Sequence, residues 1–119
     1  LTTTGPSTVV ALENGALRRF EVTPEEAGLA RADSSALKGG DPAQNAQALR
    51  DVLAGARNAY RDIAVLNAAG ALIVAERAAT LAEGAAMAAS ALDSGAAKAT
   101  LDKLVAATNR DDPNAASMR

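Results

Sequence analysis

The apolar and polar positions of this 119-residue chain fall into two patterns that meet near Gly39. In the first part, Thr8–Leu12 and Leu17–Val22 are rich in β-branched and apolar residues and read as two strands. Asn14-Gly15 between them supplies the pair of positive φ angles that a tight hairpin turn needs. Arg18, Arg19 and Glu21 interrupt strict alternation, so one side of the hairpin is expected to be solvated or at an edge. Thr23-Pro24-Glu25-Glu26 is a helix-start signature, with Thr23 as cap, Pro24 at the first helical position and Glu26 closing a capping box. Gly28 ends that helix after one turn, and Leu29–Lys38 reads as a loop with a helical turn after Asp33 and Ser34.

The second part has helical spacing throughout. Asp41 is an N-cap, Pro42 fits the first turn and Gln44 stands where a capping-box partner belongs. Leu49, Val52 and Leu53 mark the expected buried face of this helix, and Gly55 ends it. The next helix, from about Tyr60 to Ala78, is apolar nearly all round and is expected to be central and buried. Thr80-Leu81-Ala82-Glu83 is a further capping box that opens a third helix, which Gly95 closes, and Leu101, Leu104 and Val105 place an apolar stripe on a fourth that ends near Asn109. Asp111–Arg119 reads as a frayed tail. The predicted order is a β-hairpin followed by four Ala-rich helices. A lone hairpin is marginal in water and is better held by adding to a larger sheet, so an α/β domain with strands outside this chain is expected.

Composition narrows the chemistry. The length gives room for one domain. Twelve Lys and Arg against 14 Asp and Glu leave a net charge of -2, which argues against a nucleic-acid footprint. Phe20 and Tyr60 are the only aromatic residues, so the core must be built from Ala, Leu, Val and Ile. Ala-rich helices bury little area each, and such a domain gains from a large neighbouring surface. The absence of Cys removes disulfides and thiolate chemistry and fits a reducing, cytoplasmic setting. The absence of His removes the commonest general base and excludes Ser-His-Asp and His-based zinc sites within the chain. The apolar stretch Ile63–Ala75, interrupted by Asn67, is shorter than the ~20 residues a bilayer span requires, and no membrane role is expected.

The candidate chemical groups each have a plain structural reading. Gly39-Gly40-Asp41 before a helix could cradle an anion, but Asp41 fills the cap with its own carboxylate, and an ordinary loop has the greater weight. Glu25 and Glu26 suit the first turn of a helix as capping and dipole partners. Asp111 and Asp112 lack the further ligands that a metal needs. Asn67 could touch a ligand, though a buried Asn paired with backbone outweighs that reading. Gly70 costs helix propensity and implies close packing against another element. Arg61 could bind a substrate carboxylate, but an ion pair near the helix end is the default. Thr2, Thr3 and Thr4 offer hydroxyls on a turn and could line a polyanion site only beside acidic metal ligands. The chain opens on Leu1 with no initiator Met and no targeting segment and enters a strand at once. The expectation is a piece cut from a larger protein, with chemical groups upstream.

Several stretches together carry a family resemblance. Thr2-Thr3-Thr4-Gly5-Pro6-Ser7-Thr8-Val9, Leu37-Lys38-Gly39-Gly40-Asp41-Pro42-Ala43-Gln44-Asn45-Ala46 and Tyr60-Arg61-Asp62 leading to Leu66-Asn67-Ala68-Ala69 resemble segments of the anthranilate phosphoribosyltransferases. Asp93-Ser94-Gly95-Ala96-Ala97 and Leu101-x-x-Leu104-Val105 follow in the same order. The resemblance implies that residues 1–109 are the C-terminal portion of a glycosyltransferase-type α/β phosphoribosyltransferase domain, with 110–119 a flexible tail. It implies phosphoribosyl pyrophosphate and anthranilate as substrates, Mg²⁺ as cofactor, the N-terminal part of the same protein as partner, and a homodimeric parent in tryptophan biosynthesis. The family's Gly-Thr-Gly-Gly-Asp and Lys-His-Gly-Asn segments and its anthranilate-contacting Arg are absent. Its Asp-Glu metal pair comes directly before the segment where this chain begins. No catalytic, substrate-binding or metal residue is therefore carried over, Thr2 to Thr4 sit beside the site at most, and the isolated chain is expected to be inactive. A non-catalytic interaction module or a nucleoside phosphorylase fragment on the same scaffold are the alternatives.

Overall fold

Local chemistry sets each element of the computed structural model, which describes residues 1–110. Strands β1 (Ser7–Glu13) and β2 (Ala16–Val22) pair antiparallel with Leu12 opposite Leu17. Asn14 and Gly15 hold positive φ angles of 51° and 77°, the turn that this dipeptide favours. Arg18 stacks on Phe20, 4.2 Å from the ring centroid, and pairs with Glu13 at 3.3 Å. Short 3₁₀ turns follow at Pro24–Ala27 and Ser34–Leu37, the second capped by Asp33. The Glu26 carboxylate accepts the Thr23 N–H at 2.6 Å, as a capping role requires. Glu25 does something else: it accepts two hydrogen bonds from Arg31, at 3.0 and 3.2 Å, and its pKa falls below the usual glutamate value in consequence.

Four helices complete the described residues: α1 (Pro42–Leu53), α2 (Ala59–Val74), α3 (Leu81–Asp93) and α4 (Ala96–Thr108). Asp41 and Gln44 form the reciprocal capping box expected of them, at 2.8 and 3.0 Å. The α3 box is shifted: Glu83 donates its N–H to the Thr80 hydroxyl, but its carboxylate reaches back to the Ala79 N–H. The core is the α2–α3 seam, where Val65, Leu66, Ala69, Ala85 and Ala88 close over Ala27 of the first 3₁₀ turn. Gly84 makes the seam possible. A Cβ there would stand 2.8 Å from the Ala69 Cα and 2.9 Å from its Cβ, closer than packed carbons approach.

Three expectations need correction. Helix α2 stops at Val74 rather than near Ala78, because Glu76 turns left-handed at φ 57° and the Glu76 and Arg77 N–H groups fold back onto the Ile73 and Leu72 carbonyls. Helix α2 is not buried all round: Val65, Leu66 and Ala69 are enclosed, but Val74 is 85% exposed. Leu49, Leu104 and Val105, expected on buried faces, are all more than half exposed, because nothing among the described residues packs over those stripes. Further exposed apolar residues lie along the hairpin, at Val10, Leu12 and Leu17, and a groove between it and the end of α2 is lined by Val9, Phe20, Val22, Ala71, Ile73 and Val74. Among the described residues no helix is long and apolar enough to cross a membrane.

Candidate functional site

The N-terminal segment is an irregular stretch held by several specific hydrogen bonds. Asn67, on α2, holds Leu1 at both ends of its backbone: its Oδ1 accepts from the Leu1 backbone nitrogen at 2.7 Å and its Nδ2 donates to the Leu1 carbonyl at 2.8 Å. The same Nδ2 donates to the Ile63 carbonyl one turn back, at 2.9 Å, which fixes the amide against its own helix. The Leu1 side chain lies over Gly70, where a Cβ would come within 3.3 Å of it. So Asn67 pairs with backbone as the sequence predicts, but at the surface rather than buried, and Gly70 makes the close approach its position implies.

Thr2, Thr3 and Thr4 divide by direction. Thr3 is wholly enclosed, its carbonyl accepts the Ala32 N–H at 2.9 Å, and its hydroxyl has no partner. Thr2 and Thr4 face outward, with their hydroxyls 2.8 Å apart. The Thr4 N–H donates to the Thr2 hydroxyl at 3.1 Å, and the Thr2 N–H donates to the Ser7 hydroxyl at 2.9 Å.

The Gly39-Gly40 loop is occupied by its own chain. Asn45 accepts the Gly40 N–H at 2.9 Å and donates to the Gly40 carbonyl at 3.0 Å, and the Tyr60 hydroxyl donates to the Lys38 carbonyl at 2.6 Å. With the Asp41 and Gln44 N–H groups also taken, few donors remain for an anion, and the ordinary-loop reading holds. Arg61 is likewise committed. It is 4% exposed and donates through both terminal nitrogens to Asp93, at 2.9 and 3.0 Å, with Arg57 adding a contact at 3.5 Å. The Arg61 hydrogen bonds hold the Asp93 carboxyl below its ordinary pKa, with partial burial opposing and both guanidinium charges assisting. Among the described residues no three acidic side chains converge as a metal site would need, and Asp111 and Asp112 lie outside them. Sequence reasoning missed the Asn45 clasp, Gly84 and the Asp93 partner of Arg61. Only Asn45 had a local signal, its spacing from the Gly-Gly pair.

Comparison with known proteins gives these clusters a frame. The family described as "Glycosyl transferase family, a/b domain" matches residues 1–98. The chain is 66% identical over 109 residues to the anthranilate phosphoribosyltransferase of Parvibaculum lavamentivorans, a match covering 92% of this chain and 32% of that protein. It is 65% identical over 109 residues to that of Methylocella silvestris, covering 92% of this chain and 31% of the relative. The crystal structure of anthranilate phosphoribosyltransferase from Thermus thermophilus superposes with a TM-score of 0.79 at 37% identity, over 89% of this chain and 31% of that one. The chain thus spans about a third of the length of the relatives it matches.

Proposed function

Because the chain belongs to the glycosyl transferase a/b-domain family, we propose that residues 1–109 are the C-terminal portion of the catalytic domain of an anthranilate phosphoribosyltransferase. In that reaction the amine nitrogen of anthranilate bonds to the anomeric carbon of phosphoribosyl pyrophosphate. The carbon–oxygen bond to pyrophosphate breaks with its electron pair, and the amine loses a proton. The product serves tryptophan biosynthesis. The observation that carries this reading is the 66% identity along 92% of the chain to a protein of that name.

This chain's residues supply scaffold to the reaction. The helical seam is self-packed, while the hairpin and the groove beside α2 offer apolar surface to the rest of the complete protein. The Thr2–Thr4 turn forms the rim of the site. Magnesium belongs to the proposal for the complete protein only. The described residues offer it no ligand set, and no step is routed through it. A cytoplasmic homodimer is part of the same proposal.

Assaying anthranilate consumption with phosphoribosyl pyrophosphate and Mg²⁺ tests the reading. The complete protein should turn over and the 119-residue chain alone should not. A complete protein that instead cleaves nucleosides with phosphate, or does neither reaction, overturns the assignment. Turnover by the chain alone overturns the scaffold role.

A further inference from the structure

The N-terminal segment alternates anchors and offered groups. Leu1 is held at both backbone ends by Asn67 and packs on Gly70, and Thr3 is enclosed with its carbonyl on the Ala32 N–H. Thr2 and Thr4, between and beyond these anchors, present their hydroxyls outward as a pair. A count of hydrogens shows what the pair can do. Two hydroxyls carry two protons, one of which is used between them at 2.8 Å. The Thr4 N–H donates into the Thr2 oxygen, so one O–H is left to donate outward. Among the described residues no carboxylate is a partner of either hydroxyl, so the remaining O–H is free to donate to an anionic oxygen.

We propose that Asn67 is a positioning residue: by clasping Leu1 it fixes the Thr2–Thr4 hydroxyl pair as a donor to a phosphate oxygen of the phosphoribosyl pyrophosphate. The inference rests on the function proposed above and goes further by naming the residue that aims the rim and the substrate that reads it. Asn67 does not touch substrate. It acts through the Leu1 backbone, at a distance of three residues from the Thr4 hydroxyl it places.

The test pairs kinetics on the complete protein with amide exchange on the 119-residue chain. Asn67→Ala should raise the KM for phosphoribosyl pyrophosphate about tenfold and leave the KM for anthranilate within about twofold. Thr2→Val/Thr4→Val, which removes the donor and keeps the anchors, should reproduce that split with no change in thermal midpoint. In the chain, Asn67→Ala should speed exchange at the Thr4 amide about tenfold or more while leaving α2–α3 amides unchanged. An Asn67→Ala protein in which both KM values move together, or neither moves, overturns the proposal. So does equal Thr4 protection in the two chains, and that measurement decides against the clasp even where the native complete protein shows no turnover. Lack of turnover by the native protein overturns the function itself.

Discussion

The α2–α3 seam and the β-hairpin both carry many apolar residues, yet they stand in opposite situations. In the seam every small residue is used: Ala69 is wholly enclosed, and Gly84 is needed because nothing larger fits beside it. In the hairpin, Leu12 and Leu17 find no cover, at 72% and 75% exposure. What differs is whether the partner surface lies within the described residues. The contrast separates a scaffold that packs itself from an element that offers itself to something else, and substitutions should break along that line.

The largest effect is expected at the ion pair that locks the start of α2 to the end of α3. Arg61 is buried and Asp93 is not, with side-chain exposures of 5% and 42%. Removing Asp93 strands a guanidinium away from water, whereas removing Arg61 leaves a carboxylate that solvent can reach. Asp93→Ala should lower the thermal midpoint by about 10 °C, and Arg61→Met by clearly less. The pH dependence follows from the direction of the Asp93 shift. Its folded pKa lies below the ordinary aspartate value, so the folded state binds fewer protons than the unfolded one as pH falls through that region. The contribution is present above about pH 4 and is lost as pH falls through the lowered folded value. Thermal melts of native chain and Asp93→Asn should converge in acid, and melts that stay equally separated there would contradict the pairing.

Next in size is Gly84→Ala. In an open helix this change stabilises by about 1 kcal/mol. Here the added methyl meets the Ala69 backbone, and the seam must part. A net loss of about 2 kcal/mol in urea unfolding is expected. A gain would mean the two helices are not in contact at this point.

These two sites also mark where the sequence stopped being readable. The hairpin, the Asp41 cap and the short 3₁₀ turns were legible because their signals are local: Asn14-Gly15, Asp41-Pro42 with Gln44, and Thr23-Pro24 act within a few residues of themselves. The end of α2 was not legible, because the left-handed position fell to Glu76 with no glycine to mark it. Burial was least legible of all. Leu49, Leu104 and Val105 have the spacing of a core face, but spacing shows only which residues share a face. The Arg61–Asp93 pair spans 32 residues and the Asn67–Leu1 clasp 66, separations at which a single sequence carries no pairing signal. The family resemblance went further than the physics because it rests on several motifs in a fixed order between Leu1 and about Asn109.

A smaller effect, of opposite sign, is expected at Thr3. Its side chain is enclosed and its hydroxyl has no partner among the described residues, so it bears a desolvation cost with no return. Thr3→Val keeps the shape and removes the cost, and should stabilise the 119-residue chain by about 1 kcal/mol. In the complete protein the same change should destabilise if a group from the remaining two thirds meets that hydroxyl. The sign of the difference between the two unfolding curves therefore reports whether Thr3 is an internal anchor only or also part of a junction.

The smallest effect is the one that bears most directly on the hairpin. Leu12 and Leu17 face each other across the ladder and are both mostly exposed, so replacing them together by Ser and Thr should change the stability of the isolated chain by less than about 0.5 kcal/mol. In the complete protein, burial of those side chains against another surface would make the same pair cost about 2 kcal/mol per residue. A large loss already in the isolated chain would mean that the hairpin packs onto the helical seam. The seam and the hairpin would then be one unit rather than a finished core and an element awaiting its partner.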